Sequence, residues 1–489
     1  MSAYFLFGCV GYLLGSLLIN TPGHILWPGV LLALAISLAG WMITRGIWVF
    51  KSIALILGIF IGYVAVQNVV KHEAQLVQEV SFDGEALVVD KEETKSWYQP
   101  IRLRPFQDEF QADILFRAPR SLEVTPGERI RLQCELQRPK NFDERFDYTR
   151  YLMMQGIGYI CEHGHGEQGQ IVDSAWRHFL FATQSVVRKE IGELLPDPAA
   201  GLLQGLFLGG DDSLPKSISE SFRRAGLSHV VAVSGYNMTL VASVFLVVAL
   251  AIGLWRRAAV ILALVGVGCF MALIDTSAAS IRAAIMTFII MFAYLIGRPH
   301  QMLSSLIIAG SFMALMNPLI VRYDIGFQLS FMATAALATI LPWAELLLKK
   351  THRAWRLLSL PGTTLVISLF IDPIVAFHFG TVSIVSPIAN TLVLPLIPLA
   401  MIFGFALVIV GWCLPLLVPI ILFPTWLVLM SIVWIASLAG SLSLASLENL
   451  YVREPILWIW ALVLLGGVWY SRKSFYAYVF RMDRSDHIR

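Results

Sequence analysis

The chain has little charge. Asp, Glu, Lys and Arg make up 14% of its 489 residues, against roughly 25% in soluble domains. With 57% hydrophobic residues, that deficit excludes an ordinary cytosolic enzyme, a disordered chain and a collagen-like chain. Cysteine is scarce too, at five, which excludes a small disulfide scaffold. No Gly-x-x-x-x-Gly-Lys phosphate loop occurs, which argues against a pump driven by its own ATP hydrolysis. No basic segment precedes the first apolar run and a second run follows at once, so the N-terminus does not read as a signal peptide.

Long hydrophobic runs are abundant instead. Stretches near the length that crosses a bilayer as a helix fall at about 4–19, 25–43 and 47–68. More follow at 229–254, 258–274, 281–296, 302–316, 327–348, 363–377, 384–410, 414–438 and 456–470. The charge is concentrated between the two groups. Of 69 charged residues, 37 lie between Lys71 and Glu193, where 16 are basic and 21 acidic. The sequence therefore predicts a polytopic α-helical membrane protein of about twelve spans with one small β-barrel insert. The expected organisation is N-terminal transmembrane helices over 1–70 and an extracytoplasmic OB-like β domain over 71–173. An amphipathic helix and membrane-surface segment over 174–225 follows, then a transmembrane channel domain over 226–475 and a basic tail over 476–489.

Alternating the spans puts Arg45, Lys51, Arg256, Arg257, Arg298, Lys349, Lys350, Arg353 and Arg356 on the side of both termini, with Arg322 and Arg453 opposite. By the positive-inside rule that side is the cytoplasm of a cell or inner membrane, and the insert lies outside it.

Within the insert, short alternating runs at 85–89, 101–104, 113–116, 129–134 and 158–161 are separated by turn signals such as Pro126-Gly127, which predicts about five strands in a small barrel. Such barrels bind single-stranded nucleic acid through aromatics in a basic groove. Here acids alternate with the arginines, so a purely structural barrel is the competing reading. Cys134 and Cys161 are a candidate disulfide in an exported domain. Cys161, His163, His165 and Glu167 alternate as metal ligands on one strand face would, although the glycines among them suggest a flexible turn, and no metal or other cofactor is expected. Residues 174–195 have the apolar spacing of an amphipathic helix.

Further along, Gly209-Gly210-Asp211-Asp212 reads as a turn, followed by a helix that opens at Pro215 or at a Ser217–Glu220 capping box. Ser228, His229, Ser234 and Asn237 then enter a span. Polar groups at bilayer depth are costly unless they meet partners or water, so they are candidates for a polar path. A Ser/His hydrolase is the alternative, but His229 and Ser234 are five residues apart and do not stack on an unbroken helix.

The stretch from Gly226 to Gly235 (Gly-Leu-Ser-His-Val-Val-Ala-Val-Ser-Gly) resembles the signature of the ComEC family, the inner-membrane DNA-uptake channels of natural competence. The likeness continues through Asp275-Thr-Ser-Ala-Ala-Ser-Ile-Arg282, Gly297-Arg298, Asp324-Ile-Gly-Phe-Gln-Leu-Ser-Phe331, Asp372-Pro373, His378-Phe-Gly380 and Ala389-Asn390. It implies a channel that passes single-stranded DNA into the cytoplasm during natural transformation. It also implies an exported DNA receptor, a cytoplasmic helicase or motor and a separate nuclease as partners, with membrane lipid around it and a homo-oligomer compatible with it. Long members carry a metallo-β-lactamase-like nuclease domain. No His-x-His-x-Asp-His run occurs here, so no enzyme activity is expected. Tyr236 and Asn237 depart from the usual signature.

Read from the residues alone, Ser228, His229, Ser234, Asn237, Asp275, Arg282, Asp324, Gln328, Asp372, His378 and Asn390 fit a polar path better than an active site. Arg282 is the candidate phosphate contact, and an ion pair with Asp275 or Asp324 that orients helices is the competing role. The interrupted stretch from Asn390 to Pro398 either lines the path or is an ordinary proline kink. Another anionic cargo carried by the same fold stays open.

Overall fold

The computed structural model describes residues 3–17, 47–75, 79–91, 98–107, 110, 112–122, 124–142, 147–171, 175–210, 213–231, 235–274, 278–297, 302–339, 355–453, 456 and 460. In chain order, helices α1 (Ala3–Ser16) and α2 (Ile47–Gln75) precede strands β1 (Glu79–Lys91), β2 (Gln99–Pro105), β3 (Asp113–Ala118) and β4 (Glu128–Gln137). Next come helix α3 (Tyr148–Met154), strands β5 (Ile157–Cys161) and β6 (Gly164–Ile171), and helices α4 (Ala175–Leu194), α5 (Ala199–Leu208), α6 (Lys216–Arg224) and α7 (Ser228–Val231). Then follow α8 (Gly235–Ala251), α9 (Arg256–Leu273), α10 (Ala278–Leu295), α11 (Met302–Met316), α12 (Ile320–Tyr323), α13 (Ile325–Thr339) and α14 (Trp355–Phe379). The remainder is β7 (Val382–Ser383), α15 (Ser386–Val393), α16 (Leu396–Cys413), α17 (Val418–Ser441) and β8 (Ser446–Leu447). Two compact units result: 1–186 with 307–325, and 187–306 with 326–489. Their boundaries fall elsewhere than the expected domain limits at 70, 173, 225 and 475.

In the first unit, strands close in the order β1-β2-β3-β5-β4-β1, a five-stranded barrel with β6 added beside β4. Strands β3 and β5 run parallel, and the other neighbours are antiparallel. Alternation explains the core: along β4, Ile130, Leu132, Cys134 and Leu136 point inward while Arg131, Gln133, Glu135 and Gln137 point out. Phe82, Ile101, Leu103, Ile114 and Phe116 fill the rest. Strand β5 is buried at all five residues, because Leu152 on α3 covers Leu115, Ile157 and Ile160 on its outer side. The expectation of a flexible turn around Gly164 and Gly166 is corrected, since both belong to β6. Glycine is needed there for close approach: a Cβ on Gly164 would meet the Cys161 Sγ at 2.6 Å, and one on Gly166 the Phe116 ring at 3.1 Å.

The barrel stands on helices of its own unit. Helices α1 and α2 lie parallel, backbone on backbone. A Cβ on Gly11 or Gly15 would strike the carbonyls of Leu55 and Ile59, and one on Gly58 or Gly62 those of Gly8 and Tyr12. Two small-residue pairs spaced four apart thus interlock. The second half of α11 joins them in parallel: Tyr12 donates to the Ala314 carbonyl at 3.0 Å and Ser311 to the Cys9 carbonyl at 3.2 Å. Where α1 ends, Arg322 donates to the Leu17 carbonyl at 3.2 Å, a basic side chain closing a helix C-terminus.

In the second unit α5 is the core. Nine of its ten residues are buried, with Phe207 stacked on Phe405 at 4.2 Å between centroids. Ten residues span about 15 Å, half the hydrocarbon thickness, so α5 does not cross a membrane by itself. It lies in the 174–225 stretch expected as an amphipathic helix and membrane-surface segment. Among the described residues, six helices are long and apolar enough to cross a membrane, with windows at Ala54–Lys71, Ser228–Ala251, Arg256–Leu273, Gly362–Phe379, Leu396–Cys413 and Pro415–Ser441; shorter apolar helices are Ala199–Leu208, Ser280–Leu295, Met302–Met316 and Ile325–Ala338. The expected single span at 384–410 is broken into α15 and α16, since Leu394 and Pro395 intervene. The expected span at 25–43, nearly all of that at 456–470 and the basic tail lie outside the described residues.

Candidate polar path in the membrane helices

Helix α13 carries most of the site. Phe327, Phe331 and Thr334 fall at i, i+4 and i+7, a stripe along one face, and Phe327 stacks on Phe331 at 4.1 Å. Arg282 reaches this stripe from α10. It is 8% exposed, and its Nη1 donates to the Thr334 hydroxyl at 2.6 Å and approaches the Met286 Sδ at 3.8 Å. Its Cζ lies 5.9 Å from the centre of the Phe331 ring. The Thr334 hydroxyl donates in turn to the Ser330 carbonyl at 2.9 Å. Among the described residues of its own unit no carboxylate lies within ion-pair distance of Arg282; Asp324, one proposed partner, belongs to the other unit. Asp275, the other proposed partner, lies outside the described residues, as do Ser234, Arg298, Asp211 and Asp212.

On the preceding turn of α13, Gln328 meets His378 of α14, with Oε1 to Nε2 at 3.1 Å. Gln328 and Thr334 are six residues apart, about 9 Å along the helix. One helix therefore holds both the arginine and the histidine. Asp372, on the same helix as His378, is half-buried, as is Asp324 after α12.

The signature residues divide. Ser228 and His229 are exposed, whereas Asn237 is 1% exposed and donates to the Leu206 carbonyl of α5 at 3.4 Å. Asn237 thus ties α8 to α5. Asn390 is also buried at 4%, donating to the Ser386 hydroxyl at 2.9 Å, and its Oδ1 has no partner. Gly226, at φ 71°, lies over Ser386, where a Cβ would meet the Ser386 Cβ at 2.7 Å. Two motifs 160 residues apart in sequence therefore pack together at a glycine that tolerates the left-handed conformation. The Ser217–Glu220 capping box does not form; Pro215 occupies the cap, and Glu220 accepts two bonds from Arg223 at 2.6 and 2.9 Å. Phe331 closes one of the family-like motifs, whereas Thr334 and Ser386 carry no signal in the sequence and are marked only by their contacts.

The barrel offers a different surface. Arg102 and Arg104 both pair with Asp113, Arg117 with Glu162, Arg129 with Glu85 and Arg131 with Asp83, at 2.6 to 3.4 Å. These arginines are matched by carboxylates, unlike Arg282. Cys134 and Cys161 form a disulfide, with Cα atoms 6.1 Å apart. Among the described residues no group of three His, Cys, Asp or Glu side chains is gathered as metal ligands would be, and Cys161 is taken by the disulfide.

Comparison with known proteins places the helical part. A family model described as "Competence protein" matches residues 206–473. The chain is 22% identical over 329 residues to "ComE operon protein 3" of Bacillus subtilis (strain 168), a match covering 65% of this chain and 39% of that protein. The chain thus aligns with well under half the length of this curated relative. No solved structure matches.

Proposed function

Because the chain belongs to the competence protein family, we propose that it is a membrane channel component of DNA uptake, passing single-stranded DNA into the cytoplasm. The observation that carries this reading is Arg282. A guanidinium inside apolar helices, tied to a neutral hydroxyl and to no described carboxylate, keeps its charge for a mobile anion. A strand in transit needs cationic contacts that are few and individually weak, because tight binding would stop passage. The acid-matched arginines of the barrel fit a supporting domain better than a primary strand-binding groove.

In this reading the barrel lies outside the cytoplasm and both termini inside. The excess of Arg and Lys on the side of both termini supports it. The work of transport then falls to a cytoplasmic motor, and strand delivery to an exported receptor.

The test is uptake of labelled duplex DNA into a nuclease-protected compartment, comparing the intact strain, a clean deletion and Arg282→Ala. The expected result is loss of internalisation with surface binding preserved in the deletion, and reduced uptake with normal protein level in the variant. Undiminished internalisation in the deletion removes DNA as the main cargo.

A further inference from the structure

The guanidinium of Arg282 has two edges able to grip an oxyanion, and the structure leaves one of them unused. Nη1 is held by Thr334, while among the described residues the buried Nε has no partner and Nη2 makes no hydrogen bond. The Nε and Nη2 hydrogens point the same way, forming the planar fork that receives two oxygens of a phosphate or carboxylate side by side. An unpaired donor buried among apolar helices costs stability until something satisfies it. The other groups at this position maintain that state. The Thr334 hydroxyl gives its own hydrogen to the Ser330 carbonyl, so its oxygen is available as an acceptor and orients Nη1 without neutralising the charge. Facing Nη2 on α8 stands Gly235: a methyl built there would lie 3.5 Å from Nη2 and 3.5 Å from the Ala283 Cβ. That is ordinary contact, so the methyl fits, but it occupies space beside the open nitrogen.

Resting on the channel reading, we propose that the Nε–Nη2 edge of Arg282 is a phosphodiester-binding site, that Thr334 is its positioning residue and that Gly235 keeps the approach to Nη2 clear. The site grips one phosphate at a time through two parallel hydrogen bonds. Lysine has the charge but not the fork, and so does not replace arginine there.

Four variants of the full chain test this, with membrane level measured for each. Arg282→Lys, Thr334→Val and Gly235→Ala are each expected to lower DNA internalisation at least tenfold, while Thr334→Ser, which restores the acceptor, keeps it near wild type. Full uptake in Arg282→Lys or Gly235→Ala overturns the site. The purified full chain supplies the second arm, probed with a single-stranded oligonucleotide, an abasic phosphodiester of equal length and inorganic phosphate. Equal binding of both polymers, weakened at least tenfold by Arg282→Lys and steeply salt-dependent, is the expected result. Binding of inorganic phosphate alone would overturn the phosphodiester assignment, and polymer binding unaffected by Arg282→Lys would overturn the site. Should a deletion strain internalise DNA normally, the channel reading fails, and the purified protein still judges the site.

Discussion

Arg150 donates a 2.7 Å hydrogen bond to the Tyr323 hydroxyl, joining the short helix of the barrel to the end of α12. The contact does not stand alone. Asn317 donates to the Met154 carbonyl at 2.6 Å, and Val66, Leu319, Met153 and Met154 pack beside it. Among the described residues, one small apolar cluster and two polar ties thus dock the barrel on the ends of α2 and of the α11–α12 corner.

Tyr323→Phe removes one tie while keeping the ring. Loss of a hydrogen bond from a charged donor is worth roughly 1.5–3 kcal/mol, and faster amide exchange confined to α3 and the α11–α12 corner is the expected result. Unchanged exchange would show that the Asn317 tie and the apolar cluster hold the barrel without Tyr323. A pH dependence follows as well. Burial raises the pKa of the Tyr323 hydroxyl above that of a free tyrosine, so the folded form holds its proton more tightly than the unfolded form. The docking contribution is complete below the ordinary tyrosine pKa of about 10 and declines as pH rises above it. In Tyr323→Phe that alkaline loss should vanish.

The α1–α2 pair depends on absent side chains. Gly58→Val or Gly62→Val must separate two backbones, and overpacking of this kind costs about 1–3 kcal/mol or more. Lower membrane abundance and a lower unfolding temperature are expected. Gly8→Ala is the control, since its Cβ would lie 3.6 Å from the Ala54 carbonyl oxygen, an ordinary contact. If Gly58→Val is as stable as Gly8→Ala, the close pairing is wrong.

The disulfide closes a loop with a sequence separation of 27, for which chain entropy gives about 3–4 kcal/mol of stabilisation. Cys161→Ser should therefore lower the thermal stability of the barrel, and reductant should do the same to the natural chain. Gly164→Ala should also destabilise it, because the new methyl meets the sulfur. A variant that unfolds at the natural temperature would show the bond to be dispensable.

The sequence by itself determined the membrane character, the charged insert and the strands with their inward faces. These follow from local patterns: apolar run length, and the period of two that places Ile130, Leu132 and Cys134 on one side. It also marked Arg282, His378 and Gln328, since polar groups in apolar runs are visible without coordinates. It marked an interruption between Asn390 and Pro398, but it did not reveal that Asn237 faces α5 or that α5 is the buried centre of its unit. Nor did it single out Thr334, a threonine like many others in the chain, or give Gly235 a role beyond closing the signature stretch. Their roles come from what stands opposite them. Only tertiary structure brings α13 against α10 and α14, and so decides that Arg282 ends on a neutral hydroxyl and keeps one edge unpaired. Local sequence encodes which groups are costly to bury; the packing of distant helices decides which of them are satisfied.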